Sequence, residues 1–92
     1  MQGQKQPTYV KSITLRDLTD VEEVKHDVKK QNVVILRVTP LAQKNIDELK
    51  KAVEDLYKFV QSVEGDIARL GEERIVITPR GVRVWKGDFD MK

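Results

Sequence analysis

The pattern of hydrophobic positions divides this chain into short strands and two longer helical segments. Runs rich in β-branched side chains, bounded by Gly, Pro, Asn and Asp, predict strands. The predicted strands are residues 9–15, 33–38, 66–70, 74–78 and 82–85 or 82–86. Apolar residues that recur every three or four positions predict helices over about residues 20–30 and 46–63. The predicted order of elements is therefore β-α-β-α-β-β-β.

The second helix carries the strongest periodic signal. Its apolar residues alternate steps of three and four, which places them on one face. They are Ile46, Leu49, Val53, Leu56, Val60 and Val63. Asn45 is predicted to cap the first turn, and Gly65 to end the helix by adopting the left-handed conformation. The first helix opens on Thr19 and Glu22, which have the spacing of a capping box.

The lengths of the connections indicate the topology of the sheet. Helical crossovers join parallel neighbours, whereas the short turns at residues 71–73 and 79–81 join antiparallel ones. We predict an α+β fold, a two-layer αβ sandwich with a mixed five-stranded sheet and two helices on one face. Residues 1–8 are expected to form a disordered lead-in, residues 9–86 the domain and residues 87–92 a flexible tail.

Both layers carry more apolar surface than one contact between sheet and helices requires. On the second helix, Ala52 and Phe59 widen the apolar face on one side and Tyr57 widens it on the other, to an arc of about 160°. Either the first helix covers the extra flank, or this flank packs against a partner. Apolar residues also occupy both faces of the strands at 33–38 and 74–78, although two helices cover only one face. A symmetric homodimer would bury such a surface, through either the helix or the open sheet.

Composition argues against most kinds of catalytic site. The chain has 92 residues, enough for one domain, with no cysteine and one histidine. It therefore has no thiolate nucleophile, and we interpret His26 as a surface residue because charged residues flank it. There is no glycine-rich phosphate loop, and the carboxylate pairs fall at predicted surface positions. We predict that the protein is not an enzyme and uses no cofactor or metal.

The distribution of charge leaves one further class of function open. Charged residues make up 35% of the chain, but their positive and negative charges nearly cancel, at a formal net charge of +2. A strong positive electrostatic field that would attract nucleic acid is therefore not expected. The C-terminal strands nevertheless hold a local excess of basic residues: Arg69, Arg74, Arg80, Arg83 and Lys86. A small nucleic-acid-binding domain is therefore the alternative hypothesis. Few aromatic residues accompany these side chains, which favours a solvated or protein-binding surface and no nucleic acid partner.

One segment of the sequence points to a known family. The stretch GDIARLGEERIVITP at residues 65–79 resembles the Gly-Asp-Ile-x-[Arg/Lys]-[Ile/Leu]-Gly…Thr-Pro stretch of the SepF cell-division proteins. The strand at 33–38, followed by a helix with an apolar stripe that ends at Gly65, is also similar to SepF. The residues LAQK at 41–44 look more like the archaeal branch of the family than the bacterial one. The resemblance covers about residues 9–86, as expected for the globular core of such a protein.

This resemblance implies a cell-division adaptor. Proteins of the SepF type have a compact αβ domain that forms homodimers, can assemble further, and binds the C-terminal tail of FtsZ. The resemblance also implies a cytoplasmic location at the division site, near the membrane. An amphipathic N-terminal helix binds the membrane in this family, but residues 1–8 have no apolar face. Membrane contact is therefore expected only through a segment outside this sequence.

The resemblance further suggests where the two interactions lie. The hairpin of the third and fourth strands is the predicted site for the FtsZ tail, because an apolar groove rimmed by arginine suits a short acidic peptide. The predicted residues of this site are Arg69, Arg74, Ile75 and Ile77. For the two isoleucines, the alternative is a place in the core.

The predicted dimer or assembly surface lies on the second helix and at its end. It comprises Gly65, Ala52, Leu56, Phe59 and Val63. By resemblance, Gly65 is the family's close-packing glycine at the junction of this helix with the third strand. Its role in ending the helix explains the residue equally well.

Overall fold

The computed structural model describes residues 7–85, which form a four-stranded sheet and three helices. In chain order the elements are β1 (Val10–Thr14), α1 (Asp20–Lys29), β2 (Val33–Arg37), α2 (Thr39–Lys44), α3 (Ile46–Val63), β3 (Asp66–Leu70) and β4 (Arg74–Thr78). The strand order in the sheet is β1-β2-β4-β3. The β1–β2 pair is parallel, and the other two pairs are antiparallel. The predicted α+β class and mixed sheet are confirmed.

The prediction of a fifth strand is wrong for the residues that the structure describes. After β4 the chain turns, with the Val82 N–H donating to the Pro79 carbonyl oxygen at 3.1 Å, and residues 82–85 form no strand. Their backbone is held by side chains instead. The Thr78 hydroxyl donates to the Val82 carbonyl oxygen, and the Asp66 carboxylate accepts from the Val84 N–H at 2.9 Å. The predictions for residues 1–6 and 86–92 lie outside the described residues.

The prediction of two helices is also wrong, because it missed α2. Thr39 and Pro40 follow β2 directly, where a proline would also fit the end of a strand. In the structure this proline lies in the first turn of α2, where its missing N–H has no helical partner to lose. The side chain of Leu41 is fully buried, so α2 is anchored to the core.

The two longer helices begin in different ways. At α3 the predicted cap is confirmed, since the Asn45 side chain accepts from the Glu48 N–H at 3.1 Å. At α1 the predicted capping box is wrong. Thr19 makes no side-chain cap, because its hydroxyl donates to the Asp17 carboxylate instead. That hydrogen bond is the main cause that holds the pKa of Asp17 below its usual value.

The core lies between one face of the sheet and the helices α1 and α3. Strand register aligns Leu36 with Ile75 and Val34 with Ile77, and these four side chains are buried. The helices contribute buried residues at helical spacing: Val21, Val24 and Val28 from α1, and Ala52, Leu56 and Val60 from α3.

The opposite face of the sheet keeps an apolar surface. Register places Ile35 beside Val76 and Val76 beside Ala68, and all three are half-buried. Val10, on the same face beside Val33, is 66% exposed. Within the described part of the chain, the hydrophobic core lies on the other side of the sheet.

We predict that Leu56→Ala lowers the free energy of unfolding by about 2–5 kcal/mol, because it leaves a cavity under a side chain with no exposed surface. Urea unfolding followed by circular dichroism measures this change. The neighbouring variant Tyr57→Ala is the control. Tyr57 is 54% exposed, so its truncation is expected to cost less than about 1 kcal/mol. Equal losses for both variants would contradict this division of α3 into buried and exposed faces.

Candidate functional site

A groove of about 840 Å³ lies between α3 and the turn end of the β3–β4 hairpin. Helix α2 and the end of β2 close one side of it. Its lining residues are Val38, Thr39, Ala42, Ile46, Leu49, Lys50, Val53, Glu54, Tyr57, Arg69, Glu72, Arg74 and Ile75. A groove of this volume lies in the range of sites that bind small ligands or a few peptide side chains.

One wall of the groove is an apolar stripe along α3. Ile46, Leu49, Val53 and Tyr57 are spaced by three or four residues, so they follow one side of the helix. Ile46 is 51% exposed and Tyr57 is 54% exposed, while Leu49 and Val53 pack partly against the core. Ile75, 7% exposed, contributes from β4. The groove therefore offers apolar surface that is accessible to a partner.

Charged side chains line the groove beside this apolar wall. Lys50, Arg69 and Arg74 are basic, whereas Glu54 and Glu72 are acidic. Arg69 and Arg74 are exposed at the hairpin, where a guanidinium group can form paired hydrogen bonds with a carboxylate. The groove is thus suited to a ligand with apolar anchors flanked by acidic groups.

The structure brings three of the four residues predicted for tail binding to this groove. Arg69, Arg74 and Ile75 line it. Ile77 does not, because its side chain has no exposed surface and belongs to the core. It lies two residues along β4 from Ile75, on the same face.

The residues predicted for dimer assembly are less accessible than the helical pattern indicated. Ala52 and Leu56 have no exposed surface in the single chain. Phe59 is half-buried, with the ammonium groups of Lys25 and Lys29 on α1 at 5.7 and 5.9 Å from its ring centroid. Helix α1 therefore covers this flank of α3. Of the two covers that the sequence left open for this flank, the first helix and a partner, the structure shows the first helix. Val63 is half-buried and also packs against the core.

Gly65 is required by a close approach of two backbone segments. A Cβ atom at this position would lie 2.1 Å from the carbonyl oxygen of Thr78, far inside van der Waals contact. The prediction that Gly65 supplies the left-handed end of the helix is wrong. Glu64 has that conformation, with φ of 63°. Gly65 therefore allows the end of α3 to lie against the end of β4.

The part of the groove that α2 supplies was not predicted from the sequence. The available signal was Pro40 directly after β2, because proline is common in the first turn of a helix. Tyr57 had been noted only as the edge of a wide apolar face. Its place in the same groove as Arg69 depends on how α3 crosses the sheet.

Other chemical features of the described residues lie apart from the groove. A smaller recess of about 580 Å³ lies near the end of α3, lined by Gln61, Glu64, Gly65, Arg80, Gly81 and Arg83. In it Arg80 forms an ion pair with Glu64 at 3.0 Å. Between residues 7 and 85, no cluster of three or more His, Cys, Asp or Glu residues could hold a metal ion. Within that range no helix combines the length and hydrophobicity that spanning a bilayer requires.

We predict that Gly65→Ala lowers the free energy of unfolding by about 2–3 kcal/mol, since its Cβ forces the end of α3 away from β4. Urea unfolding measures the loss. Gly71→Ala is the matched control, because its surroundings are open and only its φ of 74° is strained, at a cost of about 1 kcal/mol. A Gly65→Ala variant as stable as the wild type would refute the close approach. A Gly65→Lys variant would meet the same close approach. If it failed to assemble, damage to the fold would explain the failure.

Comparison with known proteins identifies the family. A family model described as cell division protein SepF matches residues 10–84. The cell division protein SepF of Haloferax volcanii is 32% identical over 65 residues, which are 71% of this chain and 54% of that protein. The chain thus spans about half the length of this curated relative.

Solved structures agree with that match. A SepF-like protein from Archaeoglobus fulgidus superposes with a TM-score of 0.80 at 26% identity, covering 86% of this chain and 94% of the other. A SepF-like protein from Pyrococcus furiosus gives 0.80 at 25% identity, covering 90% and 100%. SepF from Methanobrevibacter smithii, solved in complex with FtsZ-CTD, gives 0.76 at 21% identity, covering 86% and 99%. This chain belongs to the SepF family of cell division proteins.

Proposed function

We propose that this chain is a non-catalytic cell-division adaptor that binds the C-terminal tail of FtsZ in the groove beside α3. The observation that carries the proposal is the groove itself, with an apolar wall on α3 and two arginines at the hairpin. Family membership supplies the partner, and the Methanobrevibacter smithii relative is a SepF protein in complex with FtsZ-CTD.

The shape of the groove favours an extended or helical peptide over a globular surface. Its apolar wall runs along α3 from Ile46 to Tyr57, about 16 Å at the rise of a helix. A short peptide can lay two or three apolar side chains along such a wall. Arg69 and Arg74 would then pair with acidic side chains of the peptide.

We also propose that the protein acts as a homodimer that uses the open face of the sheet. Ile35, Val76 and Ala68 form a half-buried apolar strip across β2, β4 and β3. This face is favoured over α3 because Ala52 and Leu56 are already buried within one chain. A two-fold contact buries the same strip on both copies. Assembly of dimers into higher polymers would need a further surface, for which the end of α3 around the half-buried Val63 is the candidate.

The alternative of nucleic-acid binding is not favoured by the arrangement of basic side chains. Arg69 and Arg74 line the groove, whereas Arg80 and Arg83 line the separate recess. Acidic residues lie in both places, and Glu64 neutralises Arg80. Tracking a phosphate backbone would require a continuous basic surface.

In this proposal the protein acts in the cytoplasm at the division site, near the membrane. The described residues form the domain that would bind FtsZ.

We expect Arg69→Glu to weaken binding of an FtsZ C-terminal peptide from the same organism by about tenfold or more. A charge-assisted hydrogen bond contributes about 1.5–3 kcal/mol, and the new carboxylate would repel an acidic tail. Isothermal titration calorimetry measures the affinity. Lys58→Glu, a charge reversal at an exposed site of α3 outside the groove, is the matched control and should leave the affinity within about twofold.

Two results would count against tail binding in this groove. One is the absence of heat at high micromolar concentrations of peptide with folded wild-type protein. The other is equal weakening by Arg69→Glu and Lys58→Glu, which would indicate non-specific charge attraction.

We expect Ile35→Lys to convert the proposed dimer to a monomer, because it places a charge within the apolar strip that each copy would bury. Light scattering should then report the 10.6 kDa mass of one chain. Val63→Lys is the matched control and should stay dimeric. Dissociation by Val63→Lys, with Ile35→Lys still dimeric, would move the interface to α3.

A further inference from the structure

We propose that one end of the domain docks on an anionic lipid surface through exposed basic and aromatic side chains. This basic end comprises Lys30, Arg80 and Arg83 together with Tyr9 and Trp85, all of them exposed. The partner is a bilayer with negatively charged headgroups. The inference goes beyond the proposed function and does not depend on tail binding, because it concerns a surface apart from the groove.

The register of the sheet brings these residues to one end of the domain. Val10 pairs with Val33, and Asp66 pairs with Thr78, so β1, β2 and β3 start where β4 finishes. Helices α1 and α3 also finish there, because each leads into the start of the next strand. Residues far apart in sequence therefore share this end.

Hydrogen bonds hold the loops of the basic end together. The Tyr9 N–H donates to the side-chain oxygen of Asn32 at 3.1 Å, and the side-chain amide of Gln31 donates to the carbonyl oxygen of Arg80 at 3.5 Å. Side chains at the start of β3 and the end of β4 hold residues 82–85. The basic end is thus a surface of the folded domain.

Positive charge predominates on this surface. In the described loops that follow α1, α3 and β4, Lys30, Arg80 and Arg83 are exposed basic residues and Glu64 is the one exposed acid. Glu64 pairs with Arg80 at 3.0 Å, but both side chains are more than half exposed, and such a pair contributes little. Arg80 can therefore exchange Glu64 for a lipid phosphate, which a guanidinium group binds through paired hydrogen bonds. Both arginines line the recess at the end of α3, so one anionic headgroup can contact both.

Exposed aromatic side chains accompany the basic ones. Trp85 is 80% exposed and Tyr9 is 59% exposed, and Val10 and Val82 add exposed apolar surface at the same end. Tryptophan and tyrosine are the side chains enriched where a bilayer meets water, and basic residues beside them are attracted to anionic headgroups. This combination favours a lipid surface as the partner.

The groove lies at the opposite end of the sheet, beside the turn of the β3–β4 hairpin. Five-residue strands separate the two ends by about 17 Å. Acidic residues gather at that far end: Asp20, Glu22 and Glu23 in the first turn of α1, and Asp47 and Glu48 in the first turn of α3. With its basic end on the bilayer, the domain would hold the groove away from the lipid and open to a partner.

The expected binding is weak. Each basic side chain close to an anionic leaflet raises the affinity about fivefold. We expect half-maximal binding at on the order of 1 mM lipid, about tenfold weaker than the binding of one myristoyl chain. Such a contact orients a domain that is already near a membrane.

The test uses Trp85 as its own probe, because it is the only tryptophan in the chain. The full chain is titrated at low salt with vesicles of phosphatidylcholine containing one third phosphatidylglycerol, and with vesicles of phosphatidylcholine alone. The anionic vesicles should shift the Trp85 emission to shorter wavelength, as the indole leaves water. Phosphatidylcholine alone should cause no shift, and added salt should reverse the shift because it screens the charges.

Variants test which residues carry the contact. Arg80→Glu/Arg83→Glu should weaken vesicle binding by about tenfold or more. Its matched control is Lys44→Glu/Lys51→Glu, which makes the same change of net charge at exposed sites of α2 and α3 and should stay within about twofold of the wild type. Trp85→Ala, followed by vesicle co-sedimentation, should weaken binding by about fivefold, because less apolar surface leaves water.

Four results would overturn the proposal. The first is an unshifted emission and no co-sedimentation with anionic vesicles at low salt. The second is equal weakening by the two charge-reversal variants, which would indicate attraction by net charge alone. The third is an emission that shifts with protein concentration in the absence of lipid, since a second copy would then cover Trp85. The fourth is a shift with a single-stranded oligonucleotide and none with vesicles.

Discussion

The contact between Gly65 and the end of β4 is the constraint on which the rest of the structure depends. With no Cβ at Gly65, the chain leaving α3 lies directly against the carbonyl oxygen of Thr78. The next residue continues the same junction, because the Asp66 N–H donates to the Thr78 hydroxyl at 2.8 Å. This junction fixes where α3 meets the sheet, and β3 pairs with β4 from that point onward.

The groove follows from the way α3 is covered on its two sides. On one side, α1 places Lys25 and Lys29 over Phe59. On the other side lie α2 and the hairpin, which leave Ile46 and Tyr57 about half exposed. A helix with an apolar arc wider than its contact with the sheet thus keeps one accessible flank. The two arginines of the hairpin border this flank, so apolar and basic surface lie side by side in the groove.

The open face of the sheet has a related physical origin. Two crossing helices can cover one face of a sheet of this size, and residues such as Ile35 and Val76 then remain half-buried on the other. A small domain without disulfides has limited apolar area to bury within one chain. Association through this face would add buried area and leave the groove free, so the proposed dimerisation and the proposed tail binding are compatible in one molecule.

Sequence by itself determined the elements whose signals are local and strong. The bounds of α3, β3 and β4 agree with the periodic pattern, and Asn45 caps α3 as its type and position predict. The resemblance of residues 65–79 also indicated the family, which the family model confirms. The family resemblance placed Arg69, Arg74 and Ile75 at the candidate site, and all three line the groove, since the β3–β4 hairpin that carries them is a local structure.

Tertiary structure alone decided the features that depend on contacts between distant residues. Short α2 has only six residues, too few for an apolar period to appear, and burial of Leu41 anchors it to the core. Residues 82–85 have strand-like composition, but Asp66 and Thr78 side chains take their backbone hydrogen bonds. Gly65 is explained by an oxygen atom thirteen residues away in sequence. The accessible groove, likewise, exists because α1 covers one flank of α3 and not the other, which no periodicity within α3 can specify.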